Sequence, residues 1–491
     1  MASTSLALTF GIEIEHILLF HETLLHPHLD TASPTTVVRK TLSPEVRRQL
    51  CEGPPGHTLF HPEYLGWGLT TPTTYANFRL DPAIGVRTYA DEVLHIESTI
   101  LAGAGIDVEV HDNERKKARF SKWCLMRDWS LVGLTKDELR AQLQAVGIDD
   151  DDKEIENWDS HGVELVSPPL VPSVESFAEL RRYLSVLNQS PPRPAITVPI
   201  QVKKAKSAAA EGGSSFSTEI EELSVATISE QAERSLVPEK PVSSSSGLYR
   251  AIASEECGLH VHVGLPPSLT DPSGDELPAT FDIGHMQHLA YILVLYEPYI
   301  SSLHPFHRRD PQSPACELQI RSNRQEMFQE PVYDPNDDSK LEEIDMDEPQ
   351  VESEEQGLDF DYVRQQIFGA DVTMEVLVKR LCPGRRAHIV NLTNVIRTDG
   401  CPRTVEFRQA AGTLDPDDIE HWVKFCVALV RLSHENAQKY GTGSATEVYD
   451  GSGYPYREWS RNMSVEDLFE MMGFDEEETG YWRGRVERLR D

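Results

Sequence analysis

The chain has 491 residues, 39% of them hydrophobic, with 46 lysines and arginines against 80 aspartates and glutamates and a formal net charge of −34. Charge of that sign and size repels nucleic acid and anionic membrane, and no basic run overrides it, so neither is expected as a partner. The length allows two or three domains, and the modest hydrophobic fraction leaves room for segments that do not fold.

The first ten residues lack the charged leader and apolar run of a signal peptide. No stretch reaches the roughly 18 apolar residues of a spanning helix. Seven cysteines are scattered without CxxC spacing, as expected of reduced thiols, so the expected compartment is cytoplasmic.

In chain order, Leu6 to His16 reads as a strand. The spacing of Tyr89, Val93, Ile96 and Ile100 predicts a helix, and alternating Ile106, Val108 and Val110 a strand after it. Lys136 to Val146 reads as a short amphipathic helix closed by Gly147. Gly162 to Val166 is strand-like and stops at Ser167-Pro168-Pro169. Ser173 then caps a helix whose apolar stripe is Phe177, Leu180, Tyr183, Leu184 and Leu187.

Residues 190–246 are rich in proline, serine and alanine. That composition buries too little apolar area to offset chain entropy, so a disordered insertion is expected. Order resumes near Leu248, ahead of Cys257 to Gly264 and a helix from about His285 to Pro298. Residues 330–361 hold fourteen acidic side chains against one lysine. Such a block reads as a solvated insertion, with a docking segment for a basic protein partner or a mobile lid as the functional alternatives. Thr404 to Arg408 is a strand. Asp415 caps the next helix, with Pro416 at its first position and Ile419, Trp422, Val423, Cys426, Leu429 and Val430 as its apolar stripe. Neither insertion splits a motif, so 1–440 reads as a single catalytic domain, followed by a helical extension over 441–491. Mixed strands and helices of this kind indicate α+β.

Three strands carry pairs of polar residues around an apolar one: Glu13-Ile14-Glu15, His260-Val261-His262 and Glu406-Phe407-Arg408. Side chains at i and i+2 of a strand share a face, so each pair presents its polar members together. Two carboxylates on one face suit a hard cation such as Mg²⁺. Histidines flanked by Gly258 and Gly264 can ligate a metal or donate to phosphate. Glu406 and Arg408 combine a metal ligand with a guanidinium fork for an anionic oxygen. Glu164 offers a further carboxylate. Taken singly, each also fits an exposed strand face or a cross-strand ion pair. The residue types do not decide between phosphoryl transfer and hydrolysis.

Phe10 to Glu15, the Trp123 to Leu131 segment with Asp128 and Ser130, Gly162 to Leu170, Cys257 to Gly264, and Thr404 to Asp415 followed by Trp422 occur in the order found in the amidoligases of fungi and bacteria. Outside the two insertions and the C-terminal extension, the chain resembles that family of carboxylate–amine ligases with a glutamine synthetase-like fold. The resemblance implies a curved antiparallel sheet with helices packed on its outer face, and ATP with Mg²⁺, or Mn²⁺ in its place, on the concave face. Glu13, His260 and Glu406 would then serve the metal nearer the γ-phosphate, and Glu15 and Glu164 the other. Relatives place two glutamates where this chain offers only Glu164. His262 would lie near the nucleotide phosphates and Arg408 on the transferring phosphoryl group. Asp128 would hold or deprotonate the amine, although Trp129 stands where relatives have a small residue.

The implied reaction is ATP-dependent joining of a small-molecule or peptide carboxylate to an amine through an acyl phosphate. A non-catalytic nucleotide- or partner-binding member and a phosphotransferase using the same face are the alternatives. Arg308 and Arg309 read either as binders of a substrate carboxylate or phosphate or as ordinary arginines at a helix end. Trp123 and Trp129 are candidates for cover over the site or for core.

Overall fold

The computed structural model describes residues 6–21, 24, 89–111, 121–128, 131, 133–145, 155, 158–188, 248–266, 269–270, 276–277, 279–310, 313, 320–328, 360–383, 387–397, 403–441 and 464–489. Its strands are β1 (Thr9–His21), β2 (Glu109–Val110), β3 (Cys124–Arg127), β4 (Trp158–Val166), β5 (Tyr249–Ile252), β6 (Gly258–Gly264), β7 (Leu269–Thr270), β8 (Glu276–Leu277), β9 (Val390–Asn391) and β10 (Thr404–Ala411). Its helices are α1 (Tyr89–Gly103), α2 (Lys136–Ala145), α3 (Val174–Leu187), α4 (Ile283–Ser301), α5 (Asn323–Phe328), α6 (Phe360–Phe368), α7 (Met374–Leu381), α8 (Pro416–Tyr440), α9 (Val465–Met471) and α10 (Glu476–Arg488).

An eight-stranded sheet runs β2-β3-β4-β1-β6-β10-β9, with β5 also paired to β1; β7 and β8 form a separate hairpin. All pairs are antiparallel except β2 with β3. The sheet is open and mostly antiparallel, in keeping with α+β. β1 is its axis. One edge of β1 pairs with β4 along Glu13–His21, while the other pairs first with β6 through Thr9–Ile14 and then with β5 through Ile17–Phe20.

Alternation gives the sheet two chemically distinct faces. Phe10, Ile12, Ile14, Leu18 and Phe20 of β1 join Leu125, Val163, Leu165, Leu259, Val261, Val263, Val405 and Phe407 in one core, completed by residues from α1, α3, α4 and α8. The helices are tied by the expected signals. Ser173 accepts the Ser176 N–H at 3.3 Å, Asp282 that of His285 at 2.8 Å, and Asp415 that of Asp417 at 2.9 Å. All five stripe residues of α3 are buried. The opposite face divides along β1: Glu13 and Glu15 form its polar half, whereas Ile17 and Leu19 lie in a second core with Leu139 and Leu143 of α2, Leu131, Trp158 and Cys257. One helix therefore packs on the face that carries the glutamates.

β1 runs five residues beyond the expected end at His16. Ile17 to Phe20 are buried on both faces, which erases the alternation that marks a strand. Residues 190–246 and 330–359 lie outside the described residues, and residues 360 and 361 begin α6. Among the described residues, no helix is long and apolar enough to cross a membrane. Cys124, Cys257, Cys382 and Cys426 are buried free thiols.

Candidate active site on the polar face

Register brings the sequence pairs together. Glu15 lies opposite Glu164 of β4, and Glu13 opposite His260 of β6. His262 lies between Gly11 of β1 and Glu406 of β10, and Glu406 between His262 and Asn391 of β9. Gly11 leaves this face open beside His262: a Cβ there would come no nearer than 3.8 Å to the His262 side chain.

Glu13 is the centre. Its Oε2 lies 3.0 Å from His260 Nδ1 and its Oε1 3.0 Å from His262 Nε2. Each histidine also approaches Glu406 Oε1 at 4.0 Å. Burial works against the Glu13 and Glu406 carboxylates, yet the imidazoles, aided by Arg408 at Glu406, hold both below the usual carboxylate range. Burial likewise works against charging His262, and Glu13 and Glu406 more than offset it, so its pKa is raised.

Glu406 is fixed by residues that no sequence pattern singled out. Its Oε2 accepts from Asn391 Nδ2 at 2.7 Å and Asn394 Nδ2 at 3.2 Å, which turns Oε1 toward the histidines and Arg408 Nη1. Arg408 Nη1 also lies 3.4 Å from His260 Nδ1. His262 Nδ1 pairs with Thr404 Oγ1 at 3.1 Å. Asn391 sits in the two-residue β9 and Asn394 in the turn after it, too short for a periodic signal; only the register of β9 on β10 reveals their use.

The opposite end is acidic. Burial, then Glu13, Asp128 and Glu15, push the Glu164 carboxyl well above its ordinary range. Asp128, half-buried, directly follows Arg127, the residue of β3 that pairs with Val163. Glu15 Oε2 accepts the Gly258 N–H at 2.5 Å, and its Oε1 lies 3.4 Å from His260 Nε2.

Among the described residues, two sets of side chains have ligand atoms all within 4.8 Å of one another: Glu13, Glu164 and His260, and Glu13, His262 and Glu406. The donors are carboxylates and imidazoles, and a crowded carboxyl such as Glu164 is stabilised as an anion by a cation, so the residues fit divalent metals. This grouping differs from the one the resemblance implies: His262 rather than His260 joins Glu13 and Glu406, and Glu15 lies outside both sets.

The nearby thiols are poor nucleophiles. Burial pushes Cys124 up to about 12 and Cys257 up to about 11. Trp123 is core rather than cover, stacked on Tyr183 and donating to Glu179 at 2.7 Å. Trp129 and Ser130 lie outside the described residues. Arg308 is buried, so it is not an exposed arginine at a helix end.

The family model described as "Putative amidoligase enzyme" matches residues 246–430, which supports the amidoligase family and, with it, an amide-forming ligase. The matched span holds His260, His262, Glu406 and Arg408. Glu13, Glu15 and Glu164 lie outside it and join the site through the pairing of β1 with β4 and β6. No curated protein and no solved structure gives a significant match to the chain.

Proposed function

We propose that the protein is an ATP-dependent carboxylate–amine ligase that forms an amide or peptide bond through an acyl phosphate. One observation carries this reading: Glu164, Glu13, His260, His262, Glu406 and Arg408 share one face of four neighbouring strands, with carboxylates at one end and a guanidinium at the other. Hydrolysis by a metal-bound water does not call for a guanidinium braced beside the ligands, whereas phosphoryl transfer does.

Glu13, Glu164 and His260 would hold one Mg²⁺ and Glu13, His262 and Glu406 another, with Glu15 keeping His260 in place. When bound, the cations neutralise nucleotide phosphate charge, and ATP supplies the phosphoryl group. Arg408, anchored by Glu406, faces the phosphoryl oxygens and offsets the charge that builds on them. A carboxylate does not expel oxide, and phosphorylation converts that oxygen into a leaving group. At the acidic end, Asp128 attracts a cationic amine and takes its proton as nitrogen attacks the acyl carbon.

The test is ADP release in the presence of Mg²⁺, ATP and pools of carboxylates and amines. Release that requires one member of each pool supports ligation. Release with a single acceptor class indicates a phosphotransferase, and ATP-independent amide hydrolysis overturns the proposal.

A further inference from the structure

β10 does not keep a regular ladder with β6. Phe407 opposes Val261 and Ala410 opposes Leu259, so Arg408 and Gln409 together face His260 alone. A bulge of this kind leaves main-chain groups without ladder partners and re-aims the side chain it carries. The Arg408 N–H is satisfied on the β9 side by Ile389 O at 2.9 Å. The carbonyls of the bulge need other donors.

Arg308 supplies them. It ends the short turn Phe306–Arg308 after α4 and is 1% exposed. Its Nη2 donates to Arg408 O at 2.8 Å and its Nε to Gln409 O at 3.2 Å. The Gln409 side chain is tied to the same region, donating to Ser301 Oγ at 2.6 Å. Room for the guanidinium comes from Gly258. A Cβ there would lie 3.2 Å from Arg308 Nη2, 2.9 Å from His260 Nε2 and 3.1 Å from Glu15 Oε2. A guanidinium so buried is not free to meet a substrate anion; its fork matches two successive carbonyls instead.

We propose that Arg308 is a positioning residue for the reaction. It fixes the backbone of the bulge, and thereby the direction in which Arg408 presents its guanidinium beside Glu406 and His260. Gly258 is the space that lets it do so. The last step, from a placed Arg408 to a bound γ-phosphoryl group, rests on the function proposed above.

Two nucleotides separate positioning from general destabilisation. Arg408 acts on the terminal phosphate, so R308Q should weaken binding of a nonhydrolysable ATP analogue with Mg²⁺ about tenfold while leaving ADP within about twofold, the same split as R408Q. R308K, whose ammonium lacks the planar fork, should recover part of the loss. Calorimetric titration of the full chain, with circular dichroism to confirm folding, reads both. Equal losses for the two nucleotides, or no loss, would overturn the proposal. If R308Q does not fold, R308K carries the test with a smaller split in the same direction. If the unmodified protein binds neither nucleotide, the ligase reading fails, and a crystal structure of R308K decides the positioning claim. Displacement of Arg408 from Glu406 upholds it, and an unmoved Arg408 contradicts it.

Discussion

The polar face of the sheet and the buried helix α4 treat histidine in opposite ways. On the polar face, His262 has carboxylates around it and favours its charged form. On the helix side, His285 and His288 of α4 lie among apolar neighbours, with backbone carbonyls of Val430 and Gly441 as their hydrogen-bond partners, and burial holds both down to about 4. Burial is common to both places; a carboxylate in hydrogen-bond contact is not. Where carboxylates converge on an imidazole, desolvation is offset and the charged form is favoured. Where backbone carbonyls are the hydrogen-bond partners, burial outweighs the weaker pull of Asp282 and the imidazole stays neutral, whereas His16 of β1, buried on the helix-packed face but 3.1 Å from Glu97, is raised as His262 is.

The sharpest way to break this contrast is at Glu13, which both ligand sets share. E13Q should abolish Mn²⁺ binding at both positions and cut turnover by at least about 1000-fold with the fold intact. E406Q should cost only one ion. Retention of one ion in E13Q would return the grouping to the one implied by resemblance, with Glu15 and Glu164 as a separate pair.

On the other face, Leu259 lies between His260 and Gly258 yet points into the core at 1% exposure. L259A should lower unfolding stability by about 2–4 kcal/mol in denaturant titration. Mn²⁺ affinity of the folded protein should not change; a matching loss of affinity would mean that the faces are not separable.

Two glycines sharpen the division of the polar face itself. A Cβ on Gly162 would come within 2.3 Å of Leu131 Cβ and 3.0 Å of Leu131 O, so G162A should cost about 1–3 kcal/mol. At Gly11 the nearest atom is 3.8 Å away, and G11A should change thermal stability by less than about 1 kcal/mol. Comparable losses in the two would show that the half near Gly11 is also covered.

A further effect is a slope. His285 titrates at about 4 in the fold against 6.5 in its unperturbed state. Between those values the unfolded chain binds more protons, so stability is full above pH 6.5 and falls as pH drops toward 4. One such group contributes at most about 1.4 kcal/mol per pH unit. H285Q should make the stability–pH profile shallower in that window, and an unchanged slope would contradict a neutral His285.

Much of the candidate site was legible in the sequence because its residues are spaced in period two. Glu13 with Glu15, His260 with His262 and Glu406 with Arg408 need only strand alternation to share a face. The cap at Asp415 and the stripe of α3 were legible as well, as local helix signals. Register was not legible. That His262 rather than His260 lies opposite Glu406, and that Glu15 meets the Gly258 N–H, depends on pairings between residues far apart in the chain, 243 positions in the second case. Asn391, Asn394 and Arg308 were hidden for the same reason: Asn391 acts from a two-residue strand, Asn394 and Arg308 from short turns, and none of these is long enough to show a period. The length of β1 was underestimated because burial on both faces removes the alternation on which strand reading depends.

The most direct measurement follows the oxygen. Once a carboxylate and an amine that support ADP release are in hand, the carboxylate is labelled with ¹⁸O and the released phosphate weighed by mass spectrometry. Attack of carboxylate oxygen on the γ-phosphorus, followed by displacement by the amine, moves one ¹⁸O into each phosphate. Unlabelled phosphate formed alongside the amide would contradict the acyl-phosphate route and the use of Arg408 on this face.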